Sequence, residues 1–196
     1  MEGSPRKESI TLKAIDIVHE MGFQGLTTRE IAKREGISEA AIYRHFKNRD
    51  EIVAAVVAYY AKFDHNFVES INDLQLSPLE SIVSLLERMA AYYEEYPAIS
   101  SIMNAFDSMQ YDAAMAETTA GIYLFRKTAV EDLLRQAQED GALSRDVDPG
   151  LFSSILWSAF FSQVYEWRGC GRAFSLQEQT AAAIGMLLRL ATEKTG

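Results

Sequence analysis

Apolar residues along this chain recur three and four positions apart, the spacing of one helical face, and no long stretch alternates apolar with polar as a half-buried strand does. The first such pattern runs from about Glu8 to Met21, with Ile10, Ala14, Ile17, Val18 and Met21 on one face and Gly22 ending it. A second begins at Thr27, which stands three residues before Glu30. That is the spacing of a capping box, in which the threonine oxygen takes a backbone N–H and the glutamate reaches back. Ile31 and Ala32 face inward from this helix, and Gly36 stops it with the positive φ that glycine adopts at no steric cost. Ser38 caps a third helix, expected to reach Phe46. Within it Ile42 and Phe46 share one face, while Glu39, Ala40, Ala41, Tyr43 and Arg44 point elsewhere. From Asn48, with Glu51 three residues on, a longer helix carries Ile52, Val53, Val56, Val57 and Tyr60 to about Ser70, so no flexible linker follows.

Beyond it, Ser77-Pro78-Leu79-Glu80 forms a second capping box with proline at the first helical position, opening a helix to about Tyr96. Further helices are expected from Pro97 to about Met109 and from Ala113 to Glu139, and two more open at Asp148-Pro149 and at Ser175. The pattern predicts an all-α protein of about nine helices, divided into a three-helix unit at residues 1–47 and a helical domain at residues 48–196. Of the last two helices, one carries Leu151, Phe152, Ile155, Leu156, Ala159, Phe160 and Val164, apolar on nearly all sides, and must therefore be covered on all sides. The other offers Ala181, Ile184, Leu187, Leu188 and Ala191.

Charge sharpens the division. The chain of 196 residues has a net charge of −9, which taken whole argues against a nucleic-acid binder. Residues 1–49, however, hold nine Lys or Arg against seven Asp or Glu, and residues 50–196 hold ten against twenty-one. Between Gly25 and Arg49 six basic residues (Arg29, Lys33, Arg34, Arg44, Lys47, Arg49) face three acidic ones. A local patch suffices for phosphates, and an acidic remainder limits indiscriminate binding to DNA.

Other chemistries are poorly served. A single cysteine, Cys170, excludes an intramolecular disulfide and any multi-cysteine zinc site, and MEGSPRKES lacks the apolar core of a secretory signal, so the cytoplasm is the expected compartment. The longest uncharged run, Pro149 to Tyr165, is too short and too polar to span a bilayer and reads as a buried helix. No phosphate loop, Ser/His/Asp cluster or HExxH occurs, so neither catalysis nor a cofactor or metal is expected. His19 and His65 have no partner at metal-ligand spacing.

The succession Gly22-Phe23, Thr27-Thr28-Arg29-Glu30-Ile31-Ala32, Gly36-Ile37-Ser38, Ile42-Tyr43-Arg44-His45-Phe46 and Asn48-Arg49-Asp50-Glu51-Ile52 resembles the TetR-type bacterial transcriptional regulators. Ala40 stands where many members carry glycine, and Arg49 where lysine is usual. The resemblance is tight over about a quarter of the chain and architectural elsewhere. It implies that Arg29, Glu39, Ala40, Ala41 and Arg44 lie closest to base edges, with Tyr43 against a thymine methyl or a phosphate, while Thr28, Ser38, His45 and Lys47 hold the DNA backbone. Glu39 is the odd member: a carboxylate repels phosphates unless it accepts from a cytosine amino group, and the commoner role is a solvated cap.

A lone helix-turn-helix makes few contacts, so two copies are expected to read two half-sites of a double-stranded operator. In the resembled family the last two helices pack against their mates, which points to Phe152, Ile155, Leu156, Ala159, Phe160, Ile184 and Leu188 as a homodimer interface. The middle helices are rich in Met and aromatic residues. Most of these read as ordinary core, and the resemblance implies a pocket for an unidentified small, largely apolar effector near Tyr92, Tyr93, Met103, Phe106, Tyr123, Phe125 and Trp157. The expected function is a ligand-responsive repressor. The alternative is a DNA-bound structural or protein-interaction factor, such as the nucleoid-occlusion members of the same family.

Overall fold

The structure is a computed structural model that describes residues 5–103 and 113–192. Every regular element among them is a helix: α1 Pro5–Gly25, α2 Thr28–Glu35, α3 Glu39–Tyr43, α4 Arg49–Asn72, α5 Pro78–Glu95, α6 Ser100–Met103, α7 Ala113–Glu139, α8 Pro149–Gly169 and α9 Leu176–Thr192. Four of the starts have a cap within three residues in the sequence. Thr27, Ser38 and Asp148 accept backbone N–H groups of Glu30, Ala41 and Leu151 at 3.1, 3.2 and 2.6 Å. Ser77 and Glu80 form the full reciprocal box at the head of α5, with the Ser77 N–H donating to Glu80 Oε2 at 3.0 Å.

The chain separates into two compact units, Met1–Phe63 with Tyr96–Ala120, and Asp64–Glu95 with Gly121–Gly196. The boundary expected at residues 47/48 falls inside the first unit, because α4 runs unbroken from the helix-turn-helix segment and only its latter part belongs to the second.

In the first unit Ile10, Ala14, Ile15, Ile17 and Val18 of α1 are buried together with Leu26, Ile31, Ala32, Ile42, Phe46, Ile52, Val56 and Val57. Fully burying an Ile or Phe contributes about 1.5–3 kcal/mol, so this cluster holds the two short helices α2 and α3, which propensity alone would not. Met21 departs from expectation: it is about half exposed, because Gly22, at φ 69° and ψ 177°, breaks the regular helix and turns the chain away. Arg49 secures that corner, donating from Nε to the Leu26 carbonyl at 2.8 Å and from Nη2 to the Phe23 carbonyl at 2.6 Å. His19 Nδ1 lies 2.7 Å from Ser101 Oγ, which ties α1 to α6. The helix expected from Pro97 to Met109 is observed only as α6, preceded by turns; the remainder lies outside the described residues.

In the second unit α5 packs along α9, and α9 along α8. Glu94 caps α9 from a distance, accepting the Leu176 N–H and, at 3.2 Å, the Gln177 N–H. Ser153 Oγ donates to the Lys127 carbonyl at 2.7 Å and Trp157 Nε1 to the Arg126 carbonyl at 2.9 Å, seating α8 on α7. Deep in this unit Arg126 grips Asp64 with Nη2–Oδ1 at 2.8 Å and Nε–Oδ2 at 2.9 Å, both side chains at most 5% exposed. Burial pushes the Asp64 carboxyl above its ordinary pKa, and the Arg126 charge pulls it partly back. No helix among the described residues is long and apolar enough to cross a membrane.

Candidate nucleic-acid interface

The turn between α2 and α3 is built on Gly36, at φ 65° and ψ 34°, with the Ile37 N–H donating to the Ala32 carbonyl at 3.0 Å in the manner of a left-handed helix stop. Ile42 and Phe46 are buried as the spacing predicts, and they pin α3 from behind. The third helix is shorter than expected, Glu39–Tyr43 rather than a run to Phe46. The His45 N–H turns to the Ile42 carbonyl, and the Lys47 N–H is taken at 2.7 Å by Glu51, whose own N–H is accepted by Asn48 Oδ1 at 2.9 Å. The next helix thus claims the backbone that would have extended α3.

This arrangement exposes Arg29, Ser38, Glu39, Ala40, Tyr43, Arg44 and Lys47, and half-buries Thr28, Ala41 and His45. All ten lie on α2, α3 and the ends of α3, within a single compact unit. The six basic residues of the segment are not equivalent. Arg34 is committed to Glu30 at 2.9 Å and Glu20 at 2.8 Å, and its hydrogen bonds hold both carboxyls below their ordinary pKa. Glu30 therefore does not reach back to complete the capping box expected at Thr27. Arg49 is spent on backbone carbonyls. Lys33 and Lys47 sit 3.8 Å from Glu30 and Glu51 at well-exposed positions, where such pairs are worth little. Arg29 and Arg44 carry no ion pair or hydrogen bond among the described residues, so they present undivided charge. Glu39 accepts a hydrogen bond from Thr28 Oγ1 at 2.7 Å, a link between α2 and α3 that spacing does not reveal.

Of the residues expected around an effector, three share one ring cluster. Tyr93 and Trp157 are buried in a ring cluster, Tyr93 against Phe160 at 5.8 Å and Trp157 against Phe160 and Phe161 at 5.7 and 5.6 Å, with Tyr92 flanking Phe67 and Tyr93. Phe125 stacks on His65 at 4.0 Å, and Tyr123 is half exposed. Met103 belongs to the first unit, and Phe106 lies outside the described residues. Among the described residues a cleft of about 150 Å³ opens in the second unit among Val68, Ile71, Leu85, Ala129, Leu133 and Gln136, none of them anticipated.

Of the expected interface residues, Phe152, Leu156, Phe160, Ile184 and Leu188 are buried within their own unit, Ala159 is half-buried and Ile155 is exposed. A helix apolar all round does not disclose which stripe its own chain covers. The outward apolar residues are Leu151, Ile155 and Tyr165 on α8 and Met186 and Leu190 on α9.

Two capped helices crossing at a glycine turn, backed by a hydrophobic core and carrying unengaged arginines outward, define a DNA-binding helix-turn-helix protein. Residues 10–56, about a quarter of the chain, match the family of bacterial regulatory proteins described as the tetR family. The chain is 29% identical over 158 residues to the nucleoid occlusion factor SlmA of Aliivibrio fischeri (strain MJ11), covering 78% of this chain and 81% of that one. It has the fold of the ketosteroid transcriptional regulator KstR2 of Mycobacterium tuberculosis, with a TM-score of 0.81 at 19% identity over 98% of each chain. It is also similar to the transcriptional regulator FadR from Bacillus subtilis, solved in complex with stearoyl-CoA, with a TM-score of 0.78 at 15% identity over 92% and 97% of the two chains.

Proposed function

We propose that the chain is a homodimeric transcriptional repressor that reads a palindromic operator and is released by a small, largely apolar effector. The observation that carries the DNA-reading part is the state of Arg29 and Arg44: the helix-turn-helix neutralises or spends its other arginines internally and leaves these two outward. Either one can fork onto a guanine, and Ala40 and Ala41 beside them let the backbone approach a base edge. Thr28, Ser38, Tyr43, His45 and Lys47 complete the surface as backbone or thymine-methyl contacts. Dimerisation is supported by the outward stripe Leu151, Ile155 and Tyr165, adjoined by Met186 and Leu190. An effector that binds better to a conformation with badly spaced reading helices shifts the population away from the DNA-competent state by its differential affinity. The unbroken α4 supports a mechanical route for that shift.

Titrating purified protein with an operator selected from random DNA, across salt, tests the reading. Six to ten phosphate contacts should cost roughly 10³–10⁵ in affinity between about 50 and 200 mM salt. A flat response would refute it. A second reading, a DNA-bound structural or protein-interaction factor, is favoured by the likeness to a nucleoid occlusion factor. Genome-wide binding separates the two: a few promoter sites for a repressor, many dispersed sites for the other.

A further inference from the structure

We propose that Glu39, held in place by Thr28, makes each reading head select cytosine at one position of its half-site. The inference rests on the DNA-reading function above and names part of its specificity.

Glu39 is the first residue of α3 and is exposed beside the small side chains of Ser38 and Ala40. A carboxylate is out of place on a surface that must approach phosphates, unless it has work there. It does not cap its own helix: Ser38, not Glu39, accepts the Ala41 N–H. Nor is it neutralised. Arg29 and Arg44 pair with no carboxylate among the described residues, and the single partner of Glu39 there is the neutral hydroxyl of Thr28, which donates to Oε2 at 2.7 Å. The carboxylate thus meets no cation among the described residues, is oriented by Thr28, and leaves Oε1 unengaged.

What such a group selects follows from base-edge chemistry. An ionised carboxylate only accepts hydrogen bonds. In the major groove guanine presents two acceptors, N7 and O6, and thymine an acceptor and a methyl group. Adenine offers its N6 amino group beside the N7 acceptor, a donor–acceptor pair matched by an amide and opposed by a second carboxylate oxygen. Cytosine alone offers an amino donor with no acceptor of its own alongside. Glu39 is thus a filter that rewards cytosine and repels the rest. Thr28 is a positioning residue: it orders a flexible side chain before DNA arrives, so less rotamer freedom is lost on binding.

The test is selection from random double-stranded DNA with the full chain and with Glu39→Ala, Glu39→Gln, Thr28→Val and Thr28→Ser, followed by titration of operators carrying each base at each position. The wild-type chain should select cytosine at one symmetric position, favoured over other bases by roughly five- to tenfold per half-site. Glu39→Ala should erase that preference, tighten binding to the former non-cognate bases and leave other positions alone. Glu39→Gln should shift the preference toward adenine. Thr28→Val should weaken the cytosine preference, and Thr28→Ser, which keeps the hydroxyl, should restore it. An unchanged preference in Glu39→Ala overturns the proposal. So does a Thr28→Val variant that keeps the full cytosine preference, whatever affinity it loses uniformly through a backbone contact of Thr28. If the wild-type chain selects no sequence, the DNA-reading function itself fails; if it selects one that Glu39 does not influence, only this proposal does.

Discussion

Replacing Asp64 by Leu should be among the most damaging single changes in the second unit. The Asp64 and Arg126 side chains are 5% and 4% exposed and share two hydrogen bonds of 2.8 and 2.9 Å. Removing one partner of a buried pair costs about 3–5 kcal/mol, because the other charge is left without compensation. The two removals are unequal. Arg126 cannot give up its proton, so Asp64→Leu takes this carboxylate from a buried guanidinium that lies 5.7 and 5.9 Å from the rings of Trp157 and Phe161. Asp64 can take up a proton, so Arg126→Met costs less. In that variant the carboxyl, already raised by burial, rises further once the arginine is gone. A folded-state pKa above the unfolded one stabilises fully below the unfolded value and loses that contribution as pH climbs through the folded value. The Arg126→Met deficit should therefore be smallest in acid and grow toward neutral pH. The double change Asp64→Leu with Arg126→Met removes both charges and should recover most of the loss. For a chain of this size each kcal/mol is worth about 2–4 °C, so Asp64→Leu should melt roughly 6–20 °C lower. Thermal unfolding at fixed protein concentration, followed by far-UV circular dichroism, measures all three variants. A double variant as unstable as Asp64→Leu, or an Asp64→Leu variant within about 1 kcal/mol of wild type, would refute the assignment of cost to the broken ion pair.

Other outcomes follow from the first unit and the outward stripe. Ser38→Ala removes the cap of α3 and should cost about 0.5–2 kcal/mol in urea unfolding. Gly36→Ala has open space around its new methyl group but must hold φ near 65°, and should cost about 1–2 kcal/mol by the same measurement. Arg49→Ala should destabilise by about 1–2 kcal/mol through the lost bonds to Phe23 and Leu26 yet leave the salt dependence of operator binding unchanged. Arg44→Ala should do the reverse, lowering that slope by about 1 if Arg44 meets a phosphate, or relaxing specificity at one position if it meets a guanine. Tyr165→Glu with Met186→Glu should yield particles of 22.0 kDa in sedimentation where the wild-type chain yields twice that mass.

The sequence made local features legible and long-range ones opaque. Thr27, Ser38, Ser77 and Asp148 each cap a residue three positions away, and Ile42 and Phe46 are four apart, so a short window contains the whole interaction. The pairing of Asp64 with Arg126 spans 62 residues and that of Thr28 with Glu39 spans 11, across elements whose crossing no periodicity reveals. Helix α8 shows the same limit in apolar terms: its surface is hydrophobic on nearly every side, so Phe160 and Ile155 looked alike, although one is buried within its own unit and the other faces out. The length of α3 was misjudged for a related reason, since the residue that truncates it, Glu51, belongs to the next helix. Charge along the sequence likewise does not reveal occupancy: Arg34 and Arg49 are basic in the sequence but engaged in the fold.

The borders between the two units fall inside helices, at 63/64 within α4 and at 120/121 within α7, as well as at 95/96. The chain therefore passes from one unit to the other three times, and only once outside a regular helix. For anyone wishing to graft this reading head onto another regulator's sensor, there is no seam to cut: a fusion point in α4 interrupts a continuous ladder of backbone hydrogen bonds and leaves residues 96–120 behind. A protease faces the same obstacle, for the stretch around residue 63 offers it a helix where a two-domain chain would ordinarily offer a loop.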